Sequence, residues 1–428
     1  MKVNILNNKL LENLAASYQQ HFARLIKNAL WLLSSEVLGK GSRLLTIIVL
    51  AAILTPSQYG SGMLALACHD ILRLLLRSGA GNQVINCSEE QLPVIAKNAM
   101  SLQWLMCILL IILQLLLAQV ASLYFANPDV AQLLTVMAVS YALFPLVSVR
   151  VFLLQRNNNM AFVGLCSGLC LLIENLSIAA LVFISEDVMA IAYGKIIFSI
   201  AWLIIFSFAP SKDFAIGFDW EVIKKLLSSS SKMIFAESGK ALQQHLDLFF
   251  AAKLLSPESF GLYSFAKSAG IGLSQSLNSA FNNALYPQLC KFNRDGHFEH
   301  RVRNIYWLTL LVSSAFVAQA GAAFFYIPLL FADSWTAAIP VSSILCLSAC
   351  ATLFVDVKCN MLRAQRCYSC ENFIRLFTLA ICMTGLLIYQ PESPIALASA
   401  MLILAGISLA IFLPINRFHH NKPALKNA

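Results

Sequence analysis

Apolar residues in this chain are grouped in runs of about 20, separated by short polar segments. An α-helix of about 20 residues crosses the roughly 30 Å hydrocarbon core of a bilayer. A membrane β-barrel would instead show alternating segments of about ten residues. The pattern therefore predicts an all-α integral membrane protein with about twelve transmembrane helices.

The twelve predicted spans form two sets of six. The first set covers residues 30–54, 60–85, 99–120, 130–154, 161–184 and 188–209. The second set covers residues 232–254, 260–285, 305–331, 337–359, 373–389 and 395–415. The first, second, seventh and eighth spans contain enough polar residues for a hydropathy window to mark them only weakly.

Polar segments suggest how the chain is divided. Residues 1–27 are expected to form a cytoplasmic amphipathic lead, because their apolar residues recur at helical spacing, although a frayed tail is the alternative. The most polar connector, 210–227, separates a predicted N-terminal six-helix lobe (28–209) from a C-terminal lobe (228–416). A basic cytoplasmic tail, 417–428, follows.

Composition and charge placement add an orientation. The chain is 59% hydrophobic and 12% charged, about half the charge of a typical soluble domain, with a net charge of +9. Of its 30 Lys and Arg, 19 lie in the segments predicted to be inside, counting Arg150 at the inner end of the fourth span, and the six predicted outer loops hold none. Because cytoplasmic loops retain Lys and Arg, both termini are predicted to be cytoplasmic. The orientation of the chain in the membrane thus accounts for the excess of positive charge, and no nucleic-acid partner is predicted.

An internal repeat relates the two halves. Residues 50–60 and 251–261 align at a constant offset of 201, at matching places in the two sets of spans. Proline and glycine suit the tight turn between two spans, but their coincidence at one offset favours duplication. We therefore expect two homologous lobes in parallel orientation around a central cavity. The offset pairs Pro56 with Pro257, Tyr59 with Phe260 and Gly60 with Gly261.

The repeat, with its Thr/Ser-Pro-x-x-Tyr/Phe-Gly ending, resembles the polysaccharide-transporter branch of the multidrug/oligosaccharidyl-lipid/polysaccharide (MOP) flippase superfamily. The stretches 263–267, 285–289 and 293–295 are also similar to that branch. The resemblance implies a Wzx-like O-antigen flippase in the bacterial inner membrane. Such a protein moves an undecaprenyl-diphosphate-linked oligosaccharide from the cytoplasmic to the periplasmic leaflet. Membrane lipids and other polysaccharide-assembly membrane proteins are the further partners it implies.

Charged residues inside the spans supply the candidate site. The other eleven Lys and Arg, but only six Asp and Glu, lie within the predicted spans or at their ends. Each costs at least about 2.5–3.5 kcal/mol at the bilayer centre, so such residues mark a functional path. The guanidinium group of arginine can donate two parallel hydrogen bonds to phosphate oxygens, so arginines in the spans are suited to bind a diphosphate head group. The candidate substrate-binding residues are Lys40, Arg43, Arg73, Arg77, Lys240 and Lys267.

Structural alternatives exist for these charges. Carboxylates on the same helix face, such as Asp70 beside Arg73, are placed to neutralise the cations within one helix. Cations near span ends are expected to extend to the membrane interface. His245 and Asp247 either couple transport to H⁺ or Na⁺ or form a polar contact between helices. The cations assigned to span ends are Lys232, Lys358 and Arg375.

Three function classes follow from this pattern. The leading one is a lipid-linked oligosaccharide flippase that works by alternating access. The second is a drug or organic-cation antiporter of the same superfamily, whose cavity would be rich in acidic residues. The remoter one is a membrane-embedded glycan-processing enzyme, which lacks support because the chain has no catalytic constellation. The sequence shows no Walker loop and no metal-ligand cluster, so we expect no cofactor, no metal and no enzymatic activity.

Overall fold

The structure is a computed structural model that describes residues 39, 41–77, 81–157, 159–209, 216–294, 298–365 and 367–412. All secondary structure in these ranges is helical. The first half contains α1 Gly41–Ile53, α2 Pro56–Arg77, α3 Gly81–Asn86, α4 Leu92–Phe125, α5 Pro128–Ala138, α6 Pro145–Arg156, α7 Met160–Ser185 and α8 Met189–Ser207. The second half contains α9 Trp220–Leu254, α10 Pro257–Ala266, α11 Gly272–Arg294, α12 Phe298–Leu330, α13 Ile339–Ala364, α14 Tyr368–Tyr389 and α15 Pro394–Phe412.

The helices follow the predicted spans closely, and the all-α membrane fold is confirmed. Within the described ranges, seven helices are long and apolar enough to cross a membrane, or eight when the bent pair α5–α6 is taken as one span. The spans predicted to be weak are the ones outside this set, namely those of α1, α2, α9 and α10–α11. Several of their polar residues, among them Thr46, His69 and Asp247, are buried and therefore do not face lipid.

Two predicted spans each cover more than one described helix. The second begins at Pro56, which takes the first helical position; α2 extends to Arg77, and the predicted end of the span lies in α3. The fourth contains a 3₁₀ turn, Val139–Ala142, and bends by 60° before α6. Pro145 explains this bend, because a proline lacks the N–H that would continue the helix.

The two repeat motifs meet at one end of the bundle. A Cβ built on Gly261 would lie 1.8 Å from the carbonyl oxygen of Pro56, so the backbones of α10 and α2 are in direct contact. Trp335, from the 3₁₀ turn Asp333–Ala338, donates its indole N–H to the carbonyl oxygen of Ala51 at 2.6 Å. Lys253 donates to the carbonyl oxygen of Tyr124 at 2.8 Å. These contacts close the two lobes against each other at the end that carries Pro56 and Pro257.

Helix α9 bridges the lobes. It starts at Trp220, within the predicted connector 210–227, and continues without a break to Leu254. Its first turns are anchored on the N-terminal half, because Ile223 and Leu226 are buried in a cluster with Leu92 and Val84. Its last turns pack beside α10 in the C-terminal half. Residues 220–227 of the predicted connector are therefore the first turns of α9, whereas residues 216–219 are not helical.

Candidate functional site

Arg43 is a predicted site residue of the N-terminal half that lies near the C-terminal half. It lies on α1 in the N-terminal half, and its side chain is exposed. It lies within electrostatic range of His245, which comes from α9 in the other half. Asp70 acts on His245 from the N-terminal half in the same way, and the buried Nδ1 of His245 has no hydrogen-bond partner among the described residues. Arg43 and His245, which come from different halves of the chain, are thus close enough to interact electrostatically.

Arg73 is held by aromatic rings. Its guanidinium carbon lies 4.6 Å from the ring centre of Phe198 and 5.3 Å from that of Phe144. The predicted alternative, a neutralising pair with Asp70 on the same helix, is not formed. Among the described residues, the cation that pairs with Asp70 is Lys195, with Nζ 3.9 Å from Oδ1. Cation–π contacts of this kind orient a guanidinium without neutralising it.

Lys195 is the centre of a buried ion pair in the N-terminal half. Its Nζ lies 2.8 Å from Oε1 of Glu174, and both side chains are at least nine-tenths buried. The second oxygen of Glu174, Oε2, has no hydrogen-bond partner among the described residues. Taking either partner away would leave the other charge buried alone, so we assign this pair to the scaffold.

Asp247 and Lys267 form a second buried pair, in the C-terminal half. Lys267 donates to Oδ1 of Asp247 at 2.5 Å and to the carbonyl oxygen of Gln244 at 2.6 Å. Tyr263 donates to Oδ2 of Asp247 at 2.8 Å. Lys267 begins a five-residue π-turn, Lys267–Ile271, between α10 and α11; such turns are frequent at functional sites. Asp247 therefore makes a polar contact between neighbouring helical segments.

Arg375 does not extend to the membrane interface, so its prediction was wrong. Its Nε donates to Oε1 of Glu371 at 3.1 Å, and its Nη1 donates to Oδ1 of Asp356 at 3.4 Å. Arg363 forms a fork with Glu371 at 2.9 and 2.6 Å. The same prediction for Lys358 is also wrong, because this residue is only 4% exposed. Neighbouring helices supply a carboxylate to Arg375 and bury Lys358. The spacing of residues along one helix does not show these contacts.

A cavity of about 130 Å³ lies among the helices of the C-terminal half. We call it the C-lobe cavity. The two ion pairs Asp247–Lys267 and Asp356–Arg375 stand in its wall, together with uncharged amide and hydroxyl side chains. The uncharged polar residues that line it are Gln243, Gln244, Asn278, Ser348, Thr352, Thr378 and Ser408.

The predicted site residues thus fall into two groups. Arg43, His245, Asp247 and Lys267 are near one another around the lobe boundary, whereas Arg73 lies among the aromatic rings of the N-terminal half. Lys40 lies outside the described residues. Arg77 and Lys240 lie in helices, but their side chains are outside the description, as is that of Lys232.

Of the polar residues that line the C-lobe cavity, the sequence pattern singled out Asp247 and Lys267 but not the hydroxyl side chains. Asp356 was visible only as a charge within an apolar span. Thr378 carried no signal, because a threonine in a transmembrane helix commonly bonds to its own backbone. Here its Oγ1 is buried and has no hydrogen-bond partner in the described part of the chain.

Comparison with protein families gives one match to most of the chain. The family described as "Polysaccharide biosynthesis protein" matches residues 49–340. No curated protein matches the sequence.

Solved structures similar to this chain include a flippase and two transporters. A lipid II flippase, MurJ, in an inward closed conformation, has a TM-score of 0.71 at 13% identity, covering 91% of this chain and 87% of its own. An inward-facing multidrug resistance MATE transporter of the MOP superfamily has a TM-score of 0.59 at 12% identity, covering 90% and 96%. A MOP superfamily transporter from Pyrococcus furiosus has a TM-score of 0.58 at 15% identity, covering 90% and 94%. Together with the family match, this fold confirms the resemblance to the MOP superfamily.

Proposed function

Since the chain belongs to the polysaccharide biosynthesis protein family, we propose that it is a flippase for a lipid-linked oligosaccharide. The substrate is an undecaprenyl-diphosphate-linked oligosaccharide that moves from the cytoplasmic to the periplasmic leaflet. The product feeds the assembly of O-antigen or another surface polysaccharide. The chain lies in the bacterial inner membrane with both termini in the cytoplasm, and it transports rather than catalyses.

The balance of charge supports an anionic substrate, and this observation carries the proposal. The buried carboxylates Glu174 and Asp247 are engaged by lysines at 2.8 and 2.5 Å. By contrast, Arg43 and Arg73 form no ion pair with any described residue. Two guanidinium groups that form no ion pair with a described carboxylate suit a diphosphate, which carries about two negative charges and accepts forked hydrogen bonds. A drug antiporter that selects cations would need the opposite arrangement.

Alternating access fits the way in which the lobes meet. They are in contact at the end that carries Pro56 and Pro257, which the distribution of Lys and Arg predicts to be periplasmic. In this state the substrate would enter from the cytoplasmic side. The sugar–diphosphate head group would cross between the lobes while the lipid tail stays in the bilayer. The lobes would then separate at the periplasmic end.

Replacement of the exposed arginine tests the proposal. We expect Arg43→Ala to abolish surface polysaccharide in a strain that depends on this chain, at unchanged membrane levels of the protein. Arg43→Lys should restore only part of the surface polysaccharide, because lysine keeps the positive charge but cannot donate two parallel hydrogen bonds to a phosphate. Arg303→Ala is the matched control, since Arg303 is also exposed but lies in the first turns of α12. Surface polysaccharide is measured by immunoblotting.

A transport assay separates flipping from later assembly. Purified protein is reconstituted in vesicles with an undecaprenyl-diphosphate-linked oligosaccharide that carries a fluorescent sugar. An impermeant quencher then reports how much of the lipid reaches the outer leaflet. We expect wild type and Arg303→Ala to equilibrate the lipid between leaflets and Arg43→Ala to do so at least tenfold more slowly. Equal rates for all three proteins would refute the role assigned to Arg43.

A further inference from the structure

The C-lobe cavity combines two properties that together indicate a ligand. Its charges are already balanced within its own wall, because Asp247 is paired with Lys267 at 2.5 Å and Asp356 with Arg375 at 3.4 Å. Asn278 also donates to Oδ2 of Asp356 at 3.0 Å. A cavity with balanced charges offers little attraction for a free anion or cation. The hydrogen-bonding groups that remain favour an uncharged polar ligand.

Thr378 provides the second, independent property. It is 5% exposed, it lines the cavity, and its Oγ1 has no hydrogen-bond partner among the described residues. A buried hydroxyl without a partner costs about 1–3 kcal/mol, so such groups are rare unless something supplies the missing bond. A ligand hydroxyl or amide in the cavity would supply it. Gln243 offers a side-chain amide in the same wall.

The cavity is next to the charged space between the lobes. Lys267 and Asp247 stand in its wall, and both lie within electrostatic range of His245, as does Arg43 of the other lobe. A molecule whose phosphates approach Arg43 would therefore bring its neighbouring groups to the mouth of the cavity. In a sugar diphosphate, that neighbouring group is the first sugar ring.

We propose that the C-lobe cavity binds the first sugar of the lipid-linked glycan, and that this sugar is an uncharged hexose or N-acetylhexosamine. The inference rests on the proposed flippase function and assigns the two lobes different tasks. The arginines of the N-terminal half bind the diphosphate, whereas amide and hydroxyl side chains of the C-terminal half form hydrogen bonds with the sugar. The volume of about 130 Å³ leaves space for about one ring rather than a chain. The apolar residues Leu345 and Met401 would cover the C–H face of that ring.

The test compares two ligands that differ only in the sugar. Farnesyl diphosphate and farnesyl-diphospho-N-acetylglucosamine are titrated into the purified full-length protein in lipid nanodiscs, and Kd is measured by microscale thermophoresis. We expect wild type to bind the sugar-bearing ligand at least tenfold more tightly. Thr378→Val should reduce this gain about three- to tenfold, the effect of one lost hydrogen bond, and leave farnesyl diphosphate binding unchanged. Gln243→Leu is a second variant with the same expected result.

A control and a contrasting variant make the result specific. Thr384→Val lies on the same helix, but Thr384 is exposed and donates to its own backbone at Ala380, so it should behave as wild type. Arg43→Ala should weaken both ligands by the same factor. That pattern would separate diphosphate recognition from sugar recognition.

Other outcomes would overturn the inference in distinguishable ways. If farnesyl diphosphate binding depends on Arg43 but the sugar adds no affinity, or Thr378→Val keeps the full gain, the sugar site is wrong and the flippase proposal stands. A larger gain with a uronic acid in place of N-acetylglucosamine would contradict an uncharged sugar. Sodium-dependent binding that Asp247→Asn removes, without a sugar effect, would assign the cavity to a coupling cation. Failure of both ligands to bind would refute the inference together with the proposed function.

Discussion

The close approach of Gly261 to Pro56 predicts how the lobes are kept together. In Gly261→Ala the new Cβ would lie 1.8 Å from the Pro56 carbonyl oxygen and 2.3 Å from its carbon, whereas ordinary contact begins near 3.4 Å. Both partners are backbone atoms, so no side chain can rotate away. The lobes must therefore separate here by about 1.6 Å, the difference between the two distances.

That separation breaks identifiable contacts between the lobes. The Trp335–Ala51 hydrogen bond is 2.6 Å long and would be lost, at a cost of about 0.5–1.5 kcal/mol net. The edge contacts of Tyr59 with Trp335 and Phe265, at 5.5 and 6.0 Å between ring centres, would weaken, and each such pair contributes about 0.5–1.5 kcal/mol. We expect the substitution to destabilise the closed state, relative to the open state, by a total of about 2–4 kcal/mol. The closed-to-open ratio would then fall about 30-fold or more.

Distances between spin labels measure this shift. Thr55 and Glu258 are exposed at the closed end, one in each lobe, and cysteines placed there in a cysteine-free background accept the labels. In Gly261→Ala we expect the distance distribution to move to longer values and surface polysaccharide to fall at least tenfold. An unchanged distribution with normal polysaccharide would contradict the assignment of this contact to the gate.

Gly321→Ala is the matched control for this experiment. Gly321 lies inside α12, and a Cβ there meets nothing within 4 Å. Alanine is favoured over glycine in a helix by up to about 1 kcal/mol. Its label distances and polysaccharide should equal those of wild type, with equal or higher stability.

Further predictions concern the buried charges and the cavity. Asp247→Asn leaves Lys267 without its carboxylate and should lower the free energy of unfolding by about 3–5 kcal/mol, whereas adding Lys267→Gln should restore part, as measured by thermal unfolding in detergent. Arg375→Ala should reduce surface polysaccharide at normal protein levels, and Arg375→Lys should recover only part, because a lysine cannot serve two carboxylates with a planar fork. Thr378→Val should leave the thermal stability of the ligand-free protein unchanged or higher, since it removes a buried hydroxyl without a partner. Lowered stability of this variant would indicate a hydrogen bond of Thr378 within the protein.

The sequence by itself determined the class of protein and the order of its spans. Long apolar runs are a local property, since every backbone group in a spanning helix bonds within the same segment, and no tertiary contact is needed to form the pattern. The repeat at offset 201 indicated two lobes for a similar reason, because it compares the chain only with itself. Even the weak spans were visible, since their charges and polar residues are countable in the sequence.

Only the tertiary structure decided which charges pair. Asp70 faces Lys195 of α8 rather than Arg73 of its own helix, and Arg375 turns to Asp356 of α13 rather than to the interface. These choices depend on how each helix is rotated and tilted against its neighbours, and side-chain spacing along one helix contains no information on the neighbour. The unpartnered hydroxyl of Thr378 was hidden for the same reason. A missing hydrogen bond is a property of all the surrounding helices, and it exists only once they are packed.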